Sequence, residues 1–126
     1  MLELSNAMVR LYKDAFGRGP TKARAHFAGP DVLVVVLEQS MTTAERNLAA
    51  LGEHERLRDA RMFFQYAMES EFRAIVERIL GRRTVAFVSG MDTHEDVSVE
   101  LFTLEPALST VELTVAPGSP SEPPQS

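Results

Sequence analysis

Apolar residues at Leu4, Met8, Leu11, Tyr12 and Ala15 recur with the spacing of an amphipathic helix, and Arg10, Lys13 and Asp14 fall off that stripe. Ser5 is placed to cap the start and Gly17 to stop the helix in a left-handed turn. From Thr21 the period changes from helical to two. Lys22, Arg24 and His26 alternate with Ala23, Ala25 and Phe27, which predicts a strand. The Ala-Gly-Pro-Asp at 28–31 reads as a turn, and Val32 to Glu38 as a second strand that is apolar on both faces.

Thr42 followed by Glu45 is the pattern of a capping box at the head of a short helix. A long pattern from Leu57 to Leu80 then carries Ala60, Phe64, Met68, Phe72, Ile75 and Ile79 on one stripe and predicts a single helix ended by Gly81. On another face Glu69, Arg73 and Glu77 stand four apart and support one another. Thr84–Gly90 and Val97–Glu105, joined by a polar turn, read as a second hairpin, and Ser109–Val115 as a short edge strand. The last stretch, 116–126, holds four prolines and is expected to be a disordered Pro/Ser-rich tail after a single domain over 1–115.

The order repeats. Helix, Gly17-Arg18, Thr21, hairpin and Val36–Glu38 are echoed by helix, Gly81-Arg82, Thr84, hairpin and Thr103–Glu105. The expectation is an α+β domain of two helix–hairpin (αββ) halves. They form one four-stranded antiparallel sheet with helices on one face and a short extra helix between the halves. Duplication further requires Thr21 and Thr84 to hold equivalent places. The alternation Val32/Val34/Val36 against Leu33/Val35/Leu37 gives the sheet a second apolar face, which needs cover of its own. A second subunit, the short helix or the tail segment would supply it, and a homodimer is the expected solution.

Charge and composition narrow the function classes. The net charge of −5 hides an asymmetry: all thirteen Lys and Arg lie at or before Arg83 with eleven acids, and 84–126 carries seven acids alone. Such a balance argues against nucleic acid. The apolar run Val32–Leu37 is far short of a membrane span, and the N-terminus lacks a cleavage-site pattern, so no membrane insertion and a cytoplasmic location are expected. With no cysteine there is no disulfide or thiolate chemistry.

The candidate chemistry is sparse. Gly17-Arg18-Gly19-Pro20-Thr21-Lys22 evokes a phosphate loop, but it ends a helix and opens a strand, where the dipole repels an anion. It reads instead as a chain reversal, with Arg18 on the last helix carbonyls. Lys22, Arg24 and His26, with Arg18, form a candidate surface for an anion or partner, or pair with acids such as Glu100 on another strand. Arg56, Arg58 and Arg61 crowd the start of a helix against its dipole, and Arg61 is placed to turn inward to Glu45. His94 with Asp92, Glu95 and Asp96 is better read as a polar turn than a metal site. No catalytic constellation is present, and no cofactor or metal is implied.

With these residues in place, the order of motifs resembles the MpsC family. The match is carried by Leu11–Phe27, Val32–Leu48, Leu57–Asp92 and Val97–Glu105. The family pattern falls on Gly17, Gly19, Pro20, Thr42, Glu45, Arg61, Gly81 and Arg82, with Met41 in place of the usual Leu before Thr42. The resemblance implies a non-catalytic accessory or regulatory protein of a Na+-translocating or bicarbonate-handling membrane system, acting through a protein partner. The alternative from the residues is a sensor of small anionic ligands using Arg18, Lys22 and Arg24.

Overall fold

The computed structural model describes residues 1–106. The expected edge strand over 109–115 and the tail, 116–126, lie outside the described residues. Helix α1 (Leu2–Phe16) leads into β1 (Lys22–Phe27) and β2 (Val32–Glu38). Three helices follow, α2 (Thr43–Ala50), α3 (His54–Ala67) and α4 (Glu69–Leu80), before β3 (Thr84–Asp92) and β4 (Val97–Leu104). The strands form one antiparallel sheet in the order β1-β2-β4-β3, so the two hairpins meet along β2 and β4. Both hairpins, the α+β class and the helix–hairpin halves are as the periodicity predicts.

Helix α1 packs on β1, and α3 and α4 pack on β3, all against the same sheet face. The period of two turns Leu33, Val35 and Leu37 of β2 and Phe102 and Leu104 of β4 into this layer. There they meet Leu4, Met8 and Tyr12 of α1 with Phe72 and Val76 of α4. Aromatic rings run through the centre, with Tyr12 to Phe72 at 6.0 Å, Phe72 to Phe87 at 5.6 Å and Phe87 to Phe102 at 5.3 Å between centroids. Such contacts add stabilisation beyond buried area.

The single helix expected over 57–80 is two, broken at Met68, whose φ of −95° and ψ of 13° leave the helical basin. The stripe also divides there. Phe72 and Ile75 of α4 join the core, but Phe64 is 55% exposed and Ala60 faces solvent. In α3 the inward residues are Leu57, Arg61 and Gln65, one turn apart, because polar partners await the last two inside. Ser5 does not cap α1; it lies buried within the helix, which starts after Met1. Glu69 pairs with Arg73 at 2.6 Å, whereas Glu77 instead accepts from the backbone and hydroxyl of Thr84 at 2.9 and 2.7 Å.

The repeat holds as topology and fails as sequence register. Thr84 lies opposite Leu104, the match of Leu37, yet Leu37 faces Ala23 rather than Thr21. Thr21 and Thr84 are therefore not equivalent, and the case for duplication falls. What does recur is the end of the leading helix. Gly17 (φ 81°) and Gly81 (φ 66°) both occupy the left-handed region that stops a helix and that only glycine enters freely. The arginine after each then crosses to the far end of its own hairpin. Arg18 donates to the carbonyls of Gln39 and Met41 after β2, not to the helix carbonyls expected of it. Arg82 donates to the Glu105 carbonyl after β4 at 2.7 Å, to that of Pro30 at 2.8 Å, and pairs with Asp31 at 2.6 Å.

Candidate functional site

Two features stand out once the layers are assembled: a polar network sealed beneath the helices, and the sheet face the helices leave open. The first begins at the head of α2. Thr42 accepts a hydrogen bond from the Glu45 backbone and Glu45 accepts one from the Thr42 backbone at 2.9 Å, closing the capping box read from the sequence. The carboxylate of Glu45 still has capacity, and Arg61 takes it. Its Nε and Nη2 donate to Glu45 at 2.6 and 2.9 Å, the two-pronged geometry that guanidinium and carboxylate share. This is the inward pairing that the sequence placed there.

Arg61 is fully buried, so each remaining N–H needs an acceptor. Nη2 also donates to the Ser40 carbonyl at 2.9 Å, and Nη1 to Ser40 Oγ and Gln65 Oε1, both at 3.2 Å. Its flat face lies 4.0 Å from the Phe16 ring centroid, a cation–π contact that ties α1 to α3. Burial pushes the Glu45 carboxyl up, but the hydrogen bonds from Arg61 and the Thr42 backbone together outweigh it and hold the group below its ordinary value.

Gln65 carries the chain of hydrogen bonds inward. Its amide donates to Ser89 Oγ at 2.6 Å and to Glu100 Oε2 at 3.1 Å. Tyr12 donates its hydroxyl to the same oxygen of Glu100. Glu100 is wholly buried, Oε2 takes both donors and Oε1 has no partner. Ser98 Oγ, two residues away on the same strand face, is also unpartnered. Burial pushes the Glu100 carboxyl up to about 7, while hydrogen bonds and the Arg61 charge hold it back. Burial and then the Glu100 charge also push the Tyr12 hydroxyl well above its ordinary value. Burial therefore favours the neutral acid at Glu100 and the neutral hydroxyl at Tyr12 over their ions.

The open face is the reverse of the sheet. Register places Lys22, Glu38, Val97 and Asp92 in one row across it, Arg24, Val36, Val99 and Gly90 in the next, then His26, Val34, Leu101 and Val88. Val32 and Thr103 begin a fourth row. Val34, Val36, Val99 and Leu101 make its centre apolar, with Glu38 and Thr103 at the ends of the central strands, and Val88 at its edge is 51% exposed. Among the described residues no helix lies on this face. Its β1 edge carries Lys22, Arg24 and His26 along one strand face, as expected from the sequence. Arg24 pairs with Glu38 of the adjacent strand at 2.8 Å rather than with Glu100, which points to the opposite side. Arg18 is apart from this row, engaged with the loop after β2. A shallow groove of about 390 Å³ between α1 and β1 is lined by Ser5, Asn6, Pro20 and Thr21 with Lys22 and Arg24.

The remaining signature positions act on the backbone. A side chain at Gly19 would meet Val9 at 3.2 Å, a close approach of the loop to α1 that glycine makes without displacing Val9, and Pro20 is buried. In the β3–β4 turn Asp92 accepts from the His94 and Glu95 backbones at 2.8 and 3.0 Å, the polar turn expected there. The His94 ring stacks on that of His54 at 3.8 Å. Asp96 receives the Ser40 and Met41 backbones at 3.1 and 3.2 Å, so the turn also fixes the loop that feeds Arg61.

Fold and site together define a two-layer α+β protein with a hydrogen-bonded ionisable core and, among the described residues, a valine-rich sheet face that no helix covers. Among the described residues no helix is long and apolar enough to cross a membrane. The chain belongs to the MpsC family: the family described as "Na+-translocating membrane potential-generating system (MpsC)" matches residues 2–106. No protein of curated function and no solved structure matches the sequence.

Proposed function

We propose that this chain is a non-catalytic cytoplasmic subunit of the Na+-translocating system for which its family is named, acting through protein contact rather than chemistry. The observation that carries the reading is the apolar sheet face that no helix covers among the described residues. Val88 is exposed and the central valines and Leu101 are half-buried, and apolar surface that no described helix covers favours a partner because association removes it from water. The ionisable groups support the same reading. Arg61, Gln65 and Glu100 spend their hydrogen bonds on one another and on the fold, and none reaches solvent. An anion sensor built on Arg18, Lys22 and Arg24 has less support, since Arg18 and Arg24 are already engaged by carbonyls and by Glu38.

The test uses membrane vesicles from cells of the source organism lacking the chain. The expectation is a diminished Na+-dependent membrane potential, restored by the wild-type chain and not by Val99→Lys. An undiminished potential in vesicles without the chain would sink the proposal.

A further inference from the structure

We infer that the occupant of the open valine face is a second copy of this chain, docked about a two-fold axis that runs along the strands between β2 and β4. The inference rests on the interaction reading above and names its partner. Three observations converge on it: the charge at the two edges, the shape beside them, and the extent of the apolar centre.

Rotation about that axis brings β1 of one copy over β3 of the other and keeps each cross-strand row facing itself. Lys22 then meets Asp92 of the second copy, and the reverse contact repeats on the far side. Arg24, in the next row, faces Gly90, the one position on that edge with no side chain, where even an added Cβ would touch Val99. Val36 meets Val99, and Val34 meets Leu101, so apolar covers apolar. The other axis in the plane of the sheet, across the strands, reverses the rows instead. It leaves Lys22 and Asp92 without opposite charge, which costs desolvation with no return, whereas Glu38 faces a valine under either axis, Val97 or Val32.

Size is adequate for a weak, specific dimer. Four strands at about 4.8 Å spacing and seven residues at about 3.4 Å give a face of roughly 19 by 24 Å, near 450 Å² in plan. Two such faces bury close to the ~1,000 Å² at which specific interfaces begin once side-chain relief is added. Aligned sheets cross at about 30°, a rotation that long Lys22 and Arg24 side chains at the edge accommodate. The expected affinity is micromolar.

Sedimentation of the full chain across a concentration series tests this, with Val99→Lys, Lys22→Met, Asp92→Asn and the last two combined. Asparagine keeps the turn that Asp92 caps while removing its charge. The proposal expects a micromolar dimer, monomer for Val99→Lys with an unchanged far-ultraviolet circular dichroism spectrum, and a several-fold weaker dimer for each edge variant. The combined edge variant should be no weaker than either alone. Within one chain Lys22 and Asp92 stand on opposite edges, about 14 Å apart at three strand spacings, so coupling between them arises only across the interface.

A monomer at every concentration overturns self-association. A dimer indifferent to Val99→Lys overturns the choice of face, as does a Val99→Lys chain that has lost its fold while Val36→Thr, the milder change in the same row, leaves the dimer intact. Additive edge variants overturn the orientation. Loss of vesicle potential with Val99→Lys alongside a monomeric wild type would retain the interaction reading and remove only the second copy as its partner.

Discussion

Replacing Glu100 by Gln should make the protein more stable, and more so the higher the pH. The carboxyl lies fully buried with two donors on Oε2, none on Oε1, and an ordinary value of 4.5 pushed to about 7. In the folded chain the neutral acid is favoured, and the unfolded chain prefers the ion. Between pH 4.5 and 7 the folded state therefore binds more protons, so stability falls as pH rises through that window and levels off above it. At roughly 1.4 kcal/mol per pH unit the loss is about 3 kcal/mol, or roughly 10 °C in Tm for a chain of this size.

The amide introduced by Glu100→Gln is neutral at every pH. Its carbonyl can still accept from Tyr12, and its NH2 group supplies a donor on the side of the unpartnered Oε1 and Ser98 Oγ. Urea unfolding at fixed protein concentration, from about pH 4.5 to about 8.5, gives the stability of both proteins. The difference between them should grow by about 3 kcal/mol across the range. Other carboxylates, including Glu45 with its lowered value, cancel in that difference. A gap that does not change with pH would refute the reasoning, because it would mean that the ionised carboxylate is as well housed as the neutral one.

Arg61→Met removes a buried cation from Glu45, Ser40 and Gln65 together and should cost about 3 kcal/mol or more by chemical denaturation. Arg61→Lys should recover only part of this, since one ammonium cannot span the same acceptors. Thr42→Ala opens the capping box and should cost about 1 kcal/mol. Gly17→Ala, at a φ of 81° with open space around it, should cost about 1 kcal/mol through backbone strain alone, read as a shifted urea midpoint with an unchanged slope.

How far the sequence carried this structure depends on which physical signal marks each element. Period two, glycine after a helix and Thr42 with Glu45 are local rules, and they located both hairpins, the helix stops and the capping box. Arg61 was legible because a cation next to an apolar stripe and against a helix dipole needs a carboxylate. The break at Met68 was not, because the apolar spacing of Ala60, Phe64, Met68 and Phe72 continues across it. Only the acceptors waiting inside turn Arg61 and Gln65 inward and leave Phe64 in solvent. Glu100 was passed over as a surface partner for the β1 cations. One clue was available: along β4 it shares parity with Phe102 and Leu104, so a strand that buries those two must bury it as well.

The two glycine–arginine corners impose an order of assembly. Arg18 reaches a carbonyl 21 residues away within its own helix–hairpin unit, a short loop that closes early. Arg82 spans 52 residues to the turn of the other hairpin, at Pro30 and Asp31, while also holding the end of β4. Its acceptors come together only when β2 and β4 are paired. The first corner shapes a half and the second latches the finished sheet, so damage at Arg82 should speed unfolding while damage at Arg18 should slow folding.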